Sequence, residues 1–275
     1  MKKKWLIVAL SVVLVLVVTI VTLSFTLFTV QEISVDFRTS TSAEYSEDEI
    51  ISSSGIEKGK NIFFLKKQRF TDNIEKTHPY LQVVNIETVF PSKIVIHLRE
   101  RQSFYAAQTE GGYLILDQSL KILEKVAEFE PSRTSPILLP FEVNGEAGET
   151  ADLKLLREFY DAMLLNGRSR PEALSLVKQI EYFESENEVY HNKELGLKLT
   201  LFSGREVMLH NAGYGLAYKL AKFFAIESDL HKLAPNLSDE VITNAEIHIN
   251  NYIGSSYSES ESYFYLVYQG EKVTL

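Results

Sequence analysis

Residues 5–30 constrain this chain more than any other stretch. Trp5–Val30 is 26 residues without a charge, a glycine or a proline. Its polar members are Ser and Thr, whose hydroxyls can bond back to their own helix. At 1.5 Å per residue such a helix reaches about 39 Å, enough to cross a hydrocarbon core of roughly 30 Å with some tilt. The many Val, Ile and Thr disfavour a helix in water, but in lipid the backbone has no other way to satisfy its hydrogen bonds. Lys2, Lys3 and Lys4 precede the run, and Gln31 and Glu32 follow it. Basic flanks stay on the cytoplasmic side. The expectation is a cytoplasmic tail at 1–4, a single transmembrane helix at 5–30, and everything after it outside. A cleaved signal peptide is the rival reading, with an apolar region of about 7–15 residues ending in small residues. This run is longer, and Phe25, Leu27 and Phe28 crowd its far end.

The remainder is long enough for one large or two modest domains. Apolar content of 45% and charged content of 24% are those of a globular protein with a real core. Cysteine is absent, which excludes disulfides, thiol chemistry and Cys-based metal sites. The net charge is −9. That balance argues against nucleic acid as a partner and otherwise reads as solubility.

Period-two alternation over Val30–Arg38 predicts a half-buried strand with Ile33, Val35 and Phe37 inward. Thr39–Ala43 reads as a polar turn. Ser46 with Glu49 three residues on predicts a capping box, and Gly55 closes that short helix as a C′ residue. Ile62-Phe63-Phe64-Leu65 is an apolar plug. Lys66–His78 predicts a second helix with Phe70 and Ile74 on one face, ended by Pro79. Leu81–Val89 and Lys93–Arg99 predict two strands, joined by the short turn Phe90-Pro91-Ser92. Ile94, Ile96 and Leu98 share one face of the second strand. The order β-α-α-β-β within about 70 residues predicts a three-stranded sheet with two helices on one face.

Three groups of residues, at these spacings and behind such an anchor, carry a resemblance. They are Gly55-Ile56-Glu57-Lys58-Gly59-Lys60-Asn61-Ile62-Phe63, then His78-Pro79-Tyr80, then Phe90-Pro91-Ser92-Lys93-Ile94 with Arg99-Glu100-Arg101. Together they resemble the polypeptide-transport-associated (POTRA) domain of the FtsQ/DivIB family of bacterial cell-division proteins. Two departures stand out: Thr39-Ser40-Thr41-Ser42 replaces the usual glycine after the first strand, and Phe90 stands where Trp is commoner. The resemblance implies a POTRA-like domain at 31–101 and a β domain at 102–275, in an α+β chain.

In that second part, Phe104–Gln108, Tyr113–Asp117 and Leu120–Glu124 read as short strands. Pro131, Pro136 and Pro140 punctuate what reads as an irregular, partly extended connection. Ala151–Asn166 predicts an amphipathic helix with Thr150 as N-cap, stopped by Gly167. Val177–Phe183, Val189–His191, Leu195–Phe202 and Glu206–His210 read as strands, the last two joined by Ser203-Gly204. Leu216–Ser228 predicts a second helix, with Lys219 and Lys222 on its outer side. Val241–Ile249 and Tyr263–Tyr268 are the final expected strands, separated by the polar stretch Ser255–Ser262.

Signatures of catalysis are missing: there is no GxSxG, HExxH or P-loop. The six histidines are scattered in sequence, with His97 and His248 on strands. Asp117 and Glu124 flank a hairpin strand and could form an acid–base pair, but with 37 acidic residues such a pair is expected by chance. Gly213-Tyr214-Gly215 reads as a plain lead-in to a helix. No enzyme activity, cofactor, metal site or small-molecule substrate is expected.

The more informative feature is Tyr263-Phe264-Tyr265-Leu266-Val267-Tyr268, an aromatic strand placed last in the sheet. An edge strand offers a row of main-chain donors and acceptors to a partner; by alternation, half its side chains pack the core. Lys272–Leu275 could cover this edge. The resemblance implies strand addition here by membrane-anchored FtsL-like and FtsB/DivIC-like coiled-coil partners. It also implies a place at the division septum, where the chain would help organise peptidoglycan synthesis. Rival readings are a POTRA-containing transport or assembly factor and a cell-wall hydrolase.

Overall fold

The computed structural model describes residues 2–38, 45–186, 193–251 and 262–273. The turn at Thr39–Ala43, the strand at Val189–His191 and most of the Ser255–Ser262 stretch lie outside them. The chain divides into two compact units, Met1–Arg101 and Gln102–Leu275.

The apolar run forms helix α1, Lys2–Thr26. Thr19, Thr22 and Thr26 donate their hydroxyls to carbonyls one turn back, at 2.8–3.0 Å, which removes the cost of carrying them in an apolar helix. Among the described residues no helix is long and apolar enough to cross a membrane.

The rest of the first unit has the expected order: β1 (Glu32–Phe37), α2 (Glu47–Ser54), a 3-10 turn at Ile62–Phe64, α3 (Lys67–Thr77), β2 (Leu81–Val89) and β3 (Lys93–Glu100). The sheet order is β1-β3-β2, with β1 parallel and β2 antiparallel to β3. Ile50, Ile74, Leu81, Ile94, Ile96 and Leu98 are fully buried between the sheet and the helices. Gly55 takes the left-handed conformation, φ 72°, that ends α2. The capping box does not form. Ser46 contributes only its carbonyl, to Ile50 N–H, and makes no side-chain cap.

The second unit is a ten-stranded sheet with its helices in two crossovers. The strands are β4 (Ser103–Thr109), β5 (Gly112–Asp117), β6 (Ile122–Val126), β7 (Ile137–Glu142), β8 (Val177–Glu186), β9 (Lys193–Leu201), β10 (Glu206–Leu209), β11 (Glu246–Asn251), β12 (Ser262–Tyr268) and β13 (Glu271–Val273). Their order is β13-β12-β11-β10-β9-β8-β7-β4-β5-β6. Helices α4 (Lys154–Leu165) and α5 (Arg170–Leu176) join β7 to the parallel β8. Helices α6 (Leu216–Leu233) and α7 (Asp239–Asn244) join β10 to the parallel β11. Phe159, Leu220, Phe223, Leu199, Val207 and Ile247 are among the residues of the resulting core.

Five expectations change here. The proline-punctuated connection contains β7, a central strand. Pro140 fits because the β4–β7 register slips between Ala107 and Gln108, beside it, so the missing N–H falls at an irregularity. Thr150 does not cap α4, because Lys121 pairs with Thr150 and Ala151 N–H bonds Leu120 O; the cap position is Leu153. Four helices stand where two were expected. Short α5 is held by Glu172, whose carboxylate accepts from Ser169 N–H at 2.7 Å. Val241–Asn244 is helical rather than extended, started by Ser238, whose hydroxyl accepts from Val241 N–H at 3.4 Å. Finally, Lys219 is fully buried rather than outward. Its ammonium donates to Asn211 O, at 2.7 Å, and to Tyr214 O. It thereby ties down the turn that leads into α6.

Candidate partner-docking surface

The aromatic strand alternates as its composition requires. Phe264, Leu266 and Tyr268 pack on the core, and Tyr268 Oη donates to Glu240 of α7 at 3.1 Å. Tyr263, Tyr265 and Val267 take the opposite face. The expected edge position is corrected: β12 is the second strand from the end, because β13 pairs with Leu266–Tyr268. The chain reverses at Gln269-Gly270, both with positive φ (52° and 82°), the backbone of a two-residue hairpin loop. The outermost strand is therefore three residues, Glu271-Lys272-Val273.

Across the sheet face opposite the helices runs a row of rings from four strands or their ends. Phe183 of β8 meets His210 edge-on, with centroids 5.1 Å apart. His210 meets His248 of β11 at 5.2 Å, and His248 stacks on Tyr265 of β12 at 4.8 Å. Tyr263 stacks on Tyr265 at 6.2 Å, and the Lys272 ammonium sits 4.3 Å over the Tyr265 ring. Gly196 of β9 makes room for the row, since a Cβ there would fall 2.3 Å from the Phe183 ring.

The two imidazoles form a hydrogen-bonded chain. His248 Nε2 meets Glu246 Oε2 at 2.9 Å, and His248 Nδ1 meets His210 Nε2 at 2.9 Å. Glu246 accepts from the His248 ring, and one imidazole donates to the other across the Nδ1–Nε2 contact. Burial, then His248 and the Lys219 ammonium, pushes the His210 pKa down to about 4, so His210 is neutral at pH 7. On the same face Lys198 pairs with Glu206 at 2.7 Å, and that bond raises the lysine pKa. Sequence spacing hid the histidine pair. His210 and His248 meet only because β10 and β11 lie parallel, with Leu209 beside Ile249.

The residues behind the family resemblance have structural roles. Gly59, φ 83°, donates its N–H to Val30 O at 2.8 Å. Asn61 caps the 3-10 turn by accepting from Phe63 N–H at 2.9 Å. Pro79 follows His78, the C-cap of α3. Phe90-Pro91 is a cis peptide in the β2–β3 turn, and Phe63 packs on Phe90, with ring centroids 5.6 Å apart. Glu100 pairs in register with Leu81. Arg101, nearly buried, holds Glu75 at 2.9 Å. Asp117 is a turn residue rather than half of an acid–base pair. It is buried, and its carboxylate accepts from Ser119 N–H, Ser119 Oγ and Lys121 N–H at 2.7–2.9 Å. Among the described residues no group of His, Asp and Glu is arranged to hold a metal ion.

Residues 28–101 match the family described as POTRA domain, FtsQ-type. The cell division protein DivIB of Clostridium acetobutylicum is 36% identical over 77 residues, 28% of this chain and 30% of that protein. The DivIB of Clostridium botulinum strain Hall is 30% identical over 114 residues, 39% of this chain and 44% of its own length. The chain thus covers less than half the length of these relatives. The solved extracytoplasmic domain of DivIB from Geobacillus stearothermophilus, in its trans isomer, aligns with 50% of this chain and 98% of its own at 16% identity. Its TM-score is 0.29, too slight a likeness to establish a shared fold. The FtsQ/DivIB resemblance read from the sequence is borne out by the family match and the DivIB relatives.

Proposed function

We propose that this chain, related to the DivIB cell-division proteins through its FtsQ-type POTRA domain, is a membrane-anchored, non-catalytic scaffold of the division machinery. The observation that carries the reading is the position of the POTRA match, residues 28–101, directly behind the uncharged run Trp5–Val30. In this reading, which rests on the 26-residue uncharged run Trp5–Val30 of the sequence and not on the extent of the described helix, the anchor crosses the cell membrane once with its N-terminus in the cytoplasm, and the domains stand outside. Confinement to two dimensions raises the effective concentration of other anchored partners. The partners are FtsL-like and FtsB/DivIC-like proteins, which add a strand at the β12–β13 end of the large sheet and link the chain to septal peptidoglycan synthesis. Main-chain pairing supplies affinity there, and the side chains of Tyr263, Tyr265 and Val267 supply specificity.

The test is a binding titration of the full chain in nanodiscs against the outer segments of the host's FtsL-like and FtsB/DivIC-like proteins. Lys272→Pro removes a main-chain donor from the outermost strand β13, and Val267→Pro disturbs the β12 ladder on which β13 rests. Loss of binding by either variant, with circular dichroism unchanged, supports the reading. Wild-type affinity in both folded variants overturns the strand-addition site.

A further inference from the structure

The first unit carries an aromatic patch that the scaffold reading leaves unused. Phe63, Phe64 and Phe90 are 54%, 77% and 60% exposed, and among the described residues they are the phenylalanines that stand open to solvent. Phe28 joins them, its ring centroid 5.3 Å from Phe63 and 6.1 Å from Phe90, and Leu27 beside it is exposed as well. Contiguous apolar surface of this kind marks an interaction site.

Its place in the chain points to the occupant. Phe28 lies two residues beyond Thr26, the last residue of α1. At 3.8 Å per residue, its Cα is within about 8 Å of the helix end. The chain leaving α1 is stitched to the loop that presents the other rings. Ile62 N–H bonds Phe28 O at 3.0 Å, Val30 N–H bonds Lys60 O at 2.9 Å, and Gly59 N–H bonds Val30 O at 2.8 Å. The rings are thus held close to whatever plane the end of α1 occupies.

The surrounding charge agrees. Residues 57–70 hold five basic side chains (Lys58, Lys60, Lys66, Lys67 and Arg69) and one acid, Glu57, in a chain of net charge −9. All five are exposed. Aromatic rings favour the level of the lipid headgroups, and lysines beside them gain from anionic lipid.

We propose that Phe28, Phe63, Phe64 and Phe90, together with the basic residues on the segment that carries Phe63 and Phe64, form a lipid-docking face that seats the POTRA domain on the outer surface of an anionic membrane. The inference rests on the reading that α1 spans that membrane. Docking would restrict the pivoting of the domain about the end of the anchor.

Because the chain has no cysteine, single introduced cysteines can carry an environment-sensitive fluorophore. Phe64→Cys, Phe90→Cys, Val84→Cys and Val13→Cys would be made in the full chain and placed in phosphatidylcholine vesicles with and without phosphatidylglycerol. Labels at 64 and 90 should emit to the blue of the label at 84 and be quenched by lipids bearing a shallow nitroxide. Both effects should grow with phosphatidylglycerol, and Lys58→Glu with Lys60→Glu should remove that growth. Labels at 64 and 90 that behave like the one at 84, while the label at 13 is quenched by a deep nitroxide, overturn the docking face and leave the anchor standing. An unquenched label at 13 overturns the anchor and the docking face with it. A blue shift at 64 and 90 that appears only on adding the partner segments assigns the patch to a protein and overturns the lipid proposal.

Discussion

Each unit sets a histidine-centred bridge on one of its sheets, and the two bridges differ in their partners. In the small sheet His97 lies on the middle strand, with Nδ1 2.7 Å from Asp36 of β1 and Nε2 2.9 Å from Glu87 of β2. One ring thus links two carboxylates across all three strands. In the large sheet His210 faces another imidazole, with the buried Lys219 ammonium near enough to lower its pKa. Among the described residues the carboxylate that meets the pair is Glu246. The same side chain thus joins two carboxylates in one sheet and another imidazole in the other, where burial keeps it neutral at pH 7.

The comparison can be broken most sharply by treating the units as independent folding bodies. Ile96→Ala should cost about 2–5 kcal/mol and Phe159→Ala about 3–5 kcal/mol, the cost of a cavity in a packed core. Two calorimetric transitions, each moved by one variant alone, are the expected outcome; a single transition moved by both would show one cooperative body. Arg101→Met should come next, at roughly 3 kcal/mol, since it takes the cation away from a nearly buried Glu75 carboxylate. Urea unfolding measures it, and Glu75→Gln with Arg101→Met should recover part of the loss. His97→Gln should cost about 1–3 kcal/mol at pH 7, because one amide cannot satisfy two carboxylates on opposite sides.

The smallest effect bears on the contrast most directly. The native pKa of His210, about 4, lies below the ordinary histidine value of 6.5, so the unfolded chain takes up the proton first. The stabilisation from a neutral His210 is therefore complete above pH 6.5, declines as pH falls, and is gone below about 4. His210→Phe should remove that decline, about 3 kcal/mol for the full shift and on the order of 1 kcal/mol once solvent screening of the part-exposed ring is allowed for, from a urea-midpoint profile taken between pH 7 and 4. An identical profile in the variant would show that His210 does not titrate with folding.

Local signals made the small unit legible. Gly55 ends a helix because left-handed backbone suits glycine, Pro79 stops the next one, and the period-two run Ile94, Ile96, Leu98 is buried as it reads. The large unit was legible only where its elements are local. The hairpins β4–β5 and β9–β10 follow from alternation and short turns. The proline-flanked Ile137-Leu138-Leu139 reads as a connection because nothing nearby says that β4 and β8 will flank it. Ser169 with Glu172 starts a helix too short to show periodicity, and the start at Ser238 is masked by the β-branched Val241, Ile242 and Thr243, which read as strand.

What the sequence determined by itself is the order of elements in the first unit, its FtsQ-type motif, and the alternation that sends half of Tyr263–Tyr268 into the core. Each depends on neighbours within a few residues, where backbone sterics and periodicity act directly. Tertiary structure alone decided that β13 covers part of β12, that Lys219 is inside, and that His210 lies against His248. Those outcomes join residues on different strands and helices, and long-range pairing leaves no periodic trace in the chain.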